Sequence, residues 1–226
     1  RLPVALLEQR DEPGAVPKAC GIADLCDGGA AAEKAFGEIG KDLWNMDQES
    51  WRWKLFRYNN RQHNTLTVNG KDHCVDGRAV LEEVYSEGDR LGGKIDLTPV
   101  FDGDLACAKR TAVIVSNDYL EITDELTAPE GSFADIRWSM LTDADVAVGG
   151  SCIDLTRNGI TMRLQATVSG SCDPAPLYCT WPSNAETYHS EVSDFDDFGI
   201  GTSICGYTIH IPAGQSVKLV TTLKRQ

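Results

Sequence analysis

Between residues 51 and 61 the chain reads Trp-Arg-Trp-Lys-Leu-Phe-Arg-Tyr-Asn-Asn-Arg, and His63 follows two positions later. Arg52, Lys54, Arg57 and Arg61 place four positive charges in eleven residues with no acidic residue among them. Guanidinium groups recognise carboxylates and sulfates through paired, charge-assisted hydrogen bonds, so one chemistry this pattern suits is anion binding. The amides of Asn59 and Asn60 add neutral donors and acceptors, and His63 adds an imidazole able to exchange a proton or ligate a metal. Trp51, Trp53, Phe56 and Tyr58 interleave with the cations. Aromatic rings can stack on sugars, although in strands they more often fill cores. The bland reading of the same strip is a solvated strand face.

The strip stands out because the chain as a whole is acidic. Its 226 residues have 21 Lys and Arg against 34 Asp and Glu, a formal net charge of −13. That balance argues against nucleic acid and anionic membranes as partners, since both need clustered basic residues. No apolar run is long enough to span a membrane. The five apolar residues from Pro3 to Leu7 are too few for a signal-peptide core, so the expectation is a processed leader or a fragment of a longer chain. Eight cysteines without a CxxC pair do not suggest a zinc cluster. Their even number fits disulfides in an oxidising compartment or buried thiols, and Cys172 with Cys179 could close a loop. No Ser-His-Asp set, phosphate-binding loop or dinucleotide fingerprint is present.

The elements that must position these residues are read from patterning. Residues 1–30 are irregular, with Pro3, Pro13 and Pro17, and a short helix is expected over 30–36, ended by Gly37 and Gly40. From Trp51 onward, β-rich runs alternate with turn signals every 8 to 15 residues, which predicts an antiparallel sandwich or barrel. Strands are expected over 51–58, 63–68, 71–75, 94–97, 112–115, 119–124, 132–141, 153–155, 161–168, 207–211 and 216–223. Asn69-Gly70 predicts a two-residue hairpin that pairs Val68 with Lys71 and sets His63 opposite Asp76. A four-residue loop would set it opposite Arg78 instead. Leu66 and Val68 would then face the core, with His63, Thr65 and Thr67 on the wetter face. His73, His189 and His210 read as structural, and Asp194-Phe-Asp-Asp197 as a solvated turn lacking calcium-loop spacing.

The segments Asp42-Leu-Trp-Asn-Met46 and Phe56-Arg-Tyr-Asn-Asn…His63-Asn-Thr-Leu resemble the heparinase II/III-like polysaccharide lyase family. Weaker echoes lie at Asp96-Leu-Thr, at Arg110 with Tyr119-Leu-Glu-Ile-Thr-Asp124, and over 201–223. The resemblance covers about residues 40–226. It implies an all-β fold, an antiparallel multi-sheet β-sandwich with one or two short helices, over 41–226, behind an irregular leader over 1–40. It also implies that the sandwich packs on an α/α-toroid of a longer parent chain and lines a cleft for uronate-containing acidic polysaccharide. The reaction there is β-elimination, outside the cytoplasm.

On this resemblance Arg57, Asn59, Asn60, Arg61 and His63 are expected to bind substrate. His63 and Asp24 match metal-binding positions, for zinc or calcium. The toroid, which supplies the family's Tyr, and a His-rich segment that normally precedes this region have no counterpart within these residues. The isolated chain is therefore expected to be inactive. The competing expectation is a non-catalytic carbohydrate-binding or structural sandwich.

Overall fold

A computed structural model describes residues 37–56, 58–169, 175–180 and 201–226, with residues 175–180 given as backbone only. Among the described residues, strands form two antiparallel sheets. The smaller sheet orders β1 (Leu66–Val68), β6 (Ala134–Thr142), β11 (Ser203–Ile211) and β10 (Ala175–Thr180). The larger has eight strands in the order β2 (Val80–Tyr85), β3 (Arg90–Asp96), β4 (Cys107–Val115), β5 (Tyr119–Thr127), β12 (Ser216–Arg225), β9 (Ile160–Ser169), β8 (Cys152–Arg157) and β7 (Asp145–Gly149).

Period-two alternation explains why these sheets face each other. β6 points Ala134, Ile136 and Trp138 inward, and β11 adds Cys205, Tyr207, Ile209 and Ile211. From the larger sheet come Leu126, Ile153, Leu155, Leu164, Ala166 and Leu219, and all of these belong to one buried cluster. The result is the expected β-sandwich, stabilised by removal of this apolar surface from water. Tyr207 bridges the two sheets: its hydroxyl donates to the Leu164 carbonyl at 2.9 Å. Burial pushes the phenol well above its ordinary range, so it stays protonated. Gly206 sits at φ +152°, and a Cβ there would lie 2.0 Å from the Trp138 carbonyl oxygen. The close approach of β11 to β6 at this point admits only glycine.

Several expected strands differ in extent. Those over 94–97, 112–115, 119–124, 132–141, 153–155, 161–168, 207–211 and 216–223 exist, most of them longer than expected. β2, β7 and β10 were not anticipated. The strand expected over 51–58 is instead a 3-10 helix, Trp51–Lys54, that begins after Ser50. Ser50 Oγ accepts from the Arg52 amide at 3.1 Å, which is the geometry of an N-cap, and this local bond wins over strand propensity. Residues 37–39 are helical and Gly40, at φ +58°, ends them; the helix expected over 30–36 lies outside the described residues.

The Asn69-Gly70 hairpin also needs correction. The turn forms, with both residues at positive φ and the Lys71 amide bonded to the Val68 carbonyl at 2.9 Å. Residues 71–74, however, are not a strand, and β1 pairs with β6 through Leu66↔Trp138 and Val68↔Ile136. No ladder therefore sets His63 opposite Asp76 or Arg78. β6 offers nine residues of continuous edge, whereas the segment after Gly70 is drawn away by side-chain bonds. Leu66 and Val68 enter the core as expected, but Thr67, expected on the wetter face, is buried as well, where its hydroxyl accepts from Asn60 Nδ2 at 3.1 Å.

Cys74, Cys107, Cys152 and Cys205 are free thiols. Burial pushes the Cys205 thiol up to about 12, which makes it chemically inert. Cys20, Cys26 and Cys172 lie outside the described residues, while residues 175–179 of the loop expected between Cys172 and Cys179 belong to strand β10.

Inside the larger sheet, Arg110 on β4 and Asp124 on β5 are cross-strand partners. They form a two-pronged pair, Nε to Oδ1 at 2.7 Å and Nη2 to Oδ2 at 3.0 Å, with side-chain exposures of 9% and 0%. Removing one partner strands a buried charge, whereas replacing both does not. Arg110→Met is expected to lower unfolding free energy by about 3–5 kcal/mol, and Arg110→Met with Asp124→Leu to recover most of that loss. Urea denaturation of the two variants checks this; a single-variant cost as small as that of the double would show that the charges are not coupled.

Candidate functional site

The segment between Gly40 and His63 is built from three short 3-10 helices, Gly40–Trp44, Trp51–Lys54 and Asn60–Gln62. Asp42 ties the first two together, since its carboxylate accepts from the Trp51 amide, from Ser50 Oγ at 3.3 Å and from Asn45 Nδ2 at 3.0 Å. These bonds, with Asn45 foremost, hold the Asp42 carboxyl below the ordinary carboxylate range. Arg52 adds a second tie by donating from Nη1 to the Leu43 carbonyl at 2.6 Å. Its guanidinium also lies 4.2 Å from the Tyr58 ring centroid and 5.2 Å from that of Trp53.

The expected cationic strip is thus divided among different tasks. Arg52 is engaged within the segment, and Lys54 Nζ sits 4.3 Å from the Trp51 ring centroid. Arg61 Nε donates to Asp72 Oδ1 at 3.2 Å, with both side chains about a quarter exposed or less. Arg57 lies outside the described residues, as do Asp24 and His189.

Asn59 and Asn60 are buried, and their amides organise the chain around them. Asn59 Oδ1 caps the helix by accepting from the Arg61 amide at 2.9 Å. Asn60 Nδ2 donates to Thr67 Oγ1 at 3.1 Å and to the Lys71 carbonyl at 3.2 Å, and its Oδ1 accepts from the His73 amide at 3.1 Å. One side chain therefore clips β1 to the loop that follows the Asn69-Gly70 turn. His63 ends the 3-10 helix, its amide bonded to the Asn60 carbonyl at 3.2 Å, and it is half-buried. Arg61 and His63 thus share one short turn at one end of the smaller sheet, both held through Asn59 and Asn60.

His73 is the satisfied histidine that the sequence suggests. Its Nε2 bonds the Leu66 carbonyl at 2.8 Å and its ring meets Phe101 edge-on at 5.3 Å. Desolvation lowers its pKa from the ordinary 6.5, outweighing the Leu66 bond and Asp72, which favour the cation; Arg110 and His63 lower it further. His210 bonds Asp135 Oδ1 through Nδ1 at 2.7 Å and is exposed. Sequence reasoning missed Asp72 as the partner of Arg61, and Asp104, which accepts from Asn69 Nδ2 at 3.1 Å and from Lys71 Nζ at 2.8 Å. Neither has a local signal, because both depend on how the loop after Gly70 folds back. The Arg110–Asp124 pair did have one, since the tight turn between β4 and β5 fixes their register.

Among the described residues no three metal-ligating side chains converge. His63 there has no ligand set around it, and a divalent ion would need groups from elsewhere, Asp24 among them. Among the same residues no helix is long and apolar enough to cross a membrane.

The architecture is an antiparallel β-sandwich with the Arg61–His63 turn at one end of its smaller sheet, and comparison supplies the family. The model of the heparinase II/III-like C-terminal domain matches residues 45–197, so the chain belongs to that family. A heparinase III, the BT4657 gene product, superposes with a TM-score of 0.53 at 14% identity, covering 75% of this chain and 24% of its own. Heparan sulfate lyase HepC from Pedobacter heparinus superposes with a TM-score of 0.55 at 9% identity, covering 84% and 28%. At these identities the likeness establishes the fold. The chain spans about a quarter of the length of these structures. No curated protein matches it.

The His73 environment makes stability depend on pH. Its folded-state pKa lies below the unfolded value of 6.5, so the unfolded chain takes up the proton first on acidification. The contribution is complete above 6.5 and is lost as pH falls through that value toward the folded pKa. His73→Gln, whose amide can still donate to the Leu66 carbonyl, is expected to flatten the stability change between about pH 7.5 and about pH 5.5. Urea midpoints at the two pH values measure it; identical slopes in both proteins would contradict the assignment.

Proposed function

We propose that the chain is the β-sandwich portion of a polysaccharide lyase that acts by β-elimination on uronic-acid-containing polysaccharide, with the Arg61–His63 turn on one wall of the substrate cleft. The observation that carries this reading is the family match, which runs through the segment holding both residues.

The chemistry fits the geometry in one specific respect. β-Elimination removes the proton next to a uronate carboxylate, and neutralising that carboxylate makes the proton more acidic. Arg61 binds Asp72 through Nε, and its two terminal nitrogens make no bond among the described residues. A guanidinium fixed on one side and open on the other suits a substrate carboxylate. His63, two residues on, would line the same wall, and Asn59 and Asn60 act by fixing the turn from beneath. Arg57 and Asp24 remain part of the proposal as substrate and metal contacts. No residue of the chain is assigned as the base that takes the proton or the acid that returns it. Those groups are proposed to come from an α/α-toroid of a longer parent chain, working outside the cytoplasm where such polymers lie.

The decisive experiment expresses the complete gene product and follows ultraviolet absorbance of the unsaturated uronate on heparan sulfate and on alginate. Turnover is expected, with a loss of about 10²-fold or more in Arg61→Ala and none at all in the 226-residue chain alone. A complete product that binds these polymers without cleaving any of them would instead identify a carbohydrate-binding sandwich.

A further inference from the structure

We propose that Asp72 is a positioning residue for the elimination: it holds Arg61 through Nε and so aims the other edge of the guanidinium, Nη1 and Nη2, at the uronate carboxylate. The proposal rests on the lyase reading above and gives a role in it to a residue outside the expected substrate contacts.

The first observation is that the loop carrying Asp72 takes its shape without it. After the Asn69-Gly70 turn the Lys71 amide is bonded to the Val68 carbonyl. Asn60 then takes the Lys71 carbonyl and the His73 amide, one residue to either side of Asp72. Asp104, in the loop leading into β4, accepts from Asn69 Nδ2 and Lys71 Nζ. The loop is thus fixed at residues 69, 71 and 73, and among the described residues the bond of the Asp72 carboxylate runs to Arg61 Nε at 3.2 Å. Arg61 is seated on a separate frame, the 3-10 helix that Asn59 caps. A pair that is partly open to solvent on both sides contributes little to stability, so what this pair fixes is the guanidinium.

The second observation is which nitrogen Asp72 takes. A guanidinium has one edge that includes Nε and another formed by Nη1 and Nη2, and either can meet a carboxylate with two bonds. The contact at Nε engages the first edge and leaves the second. Anchoring the long arginine stem at Nε settles most of its torsions before substrate arrives. Charge then sets where the effect appears. Asp72 offsets part of the Arg61 charge, so it does not strengthen the attraction for a resting uronate. In the elimination a base takes the proton next to the carboxylate, and the C–H electron pair moves onto the carboxylate oxygens. The pair then forms the carbon–carbon double bond as the carbon–oxygen bond to the leaving sugar breaks and that oxygen takes a proton. Donors already aimed at the carboxylate act most strongly on the charge that grows there midway.

The test is steady-state kinetics of the complete gene product on heparan sulfate and on alginate, with urea midpoints confirming that the variants fold. Asp72→Ala is expected to lower kcat about tenfold without raising KM. Asp72→Asn, whose amide oxygen still accepts from Nε, should restore most of kcat. Adding Asp72→Ala to Arg61→Ala should cost nothing further, because the two residues act as one unit. Full kcat in Asp72→Ala, a rise in KM alone, an Asn variant as slow as the Ala variant, or losses that multiply in the double variant would each overturn the proposal and leave the lyase reading in place. Nitrogen–proton spectra of the 226-residue protein read the orientation separately. The Arg61 Nε–H is expected to exchange slowly with solvent in wild type and Asp72→Asn and rapidly in Asp72→Ala; equal exchange in all three would overturn the proposal whatever the kinetics show. A wild-type product that eliminates neither polymer removes the lyase reading, and the role of Asp72 in it, while the exchange rates still decide whether Asp72 holds Arg61.

Discussion

The pairing of β1 with β6 is the constraint on which the candidate site depends. β1 is three residues long, yet the bonds that continue it run well beyond its ends. Asn69 donates its amide to the Asp135 carbonyl at 2.8 Å and accepts the Asp135 amide on Oδ1 at 2.9 Å. At the other end the Thr65 carbonyl accepts from the Ser139 amide at 3.0 Å, and Asn64 Oδ1 accepts from the Leu141 amide at 2.8 Å. Residues 64–69 are thereby laid along the free edge of the smaller sheet with two asparagine side chains imitating backbone. Everything before residue 64, including Arg61 and His63, inherits its position from that edge.

Asn60 then couples the edge to the loop beyond it. Its single amide reaches Thr67, Lys71 and His73, so the loop after the turn is folded back under the 3-10 helix that holds Arg61. That return is what brings Asp72 to Arg61. A buried amide with every bond made is a rigid joint, because each unmade bond would leave a desolvated polar group. The residues expected to touch substrate therefore divide by mechanism: the asparagines shape the turn, and the arginine and histidine are what it displays.

Electrostatically the protein handles its negative charge by local pairing. The outer face of the larger sheet carries cross-strand ion pairs such as Lys94–Glu125, Arg90–Glu121 and Lys109–Glu82. Exposed pairs of this kind contribute little each, but they leave few uncommitted cations on that face. In the 40–54 segment Arg52 and Lys54 lie over aromatic rings, Lys54 Nζ 4.3 Å from the Trp51 centroid.

What the sequence determined by itself was whatever rests on local periodicity: the antiparallel strands β3 to β6, β8, β9, β11 and β12, the inward face of Leu66 and Val68, the Asn69-Gly70 turn, and His73 as a satisfied structural residue. Alternation and turn chemistry are properties of neighbours along the chain, so they survive without knowledge of the fold. What only the tertiary structure decided was which edge each segment would meet. The turn at Asn69-Gly70 dictated a hairpin locally, but β6 offered a longer ladder and took β1 from it. The alternating cations and aromatics after Ser50 matched a strand, but the Ser50 cap and the Asp42 carboxylate, eight residues back, wound them into a 3-10 helix. In the first case the deciding partner lay far along the chain, and in the second the local Ser50 cap was joined by a carboxylate from an earlier helix, because satisfying every buried backbone group is a condition on the whole fold.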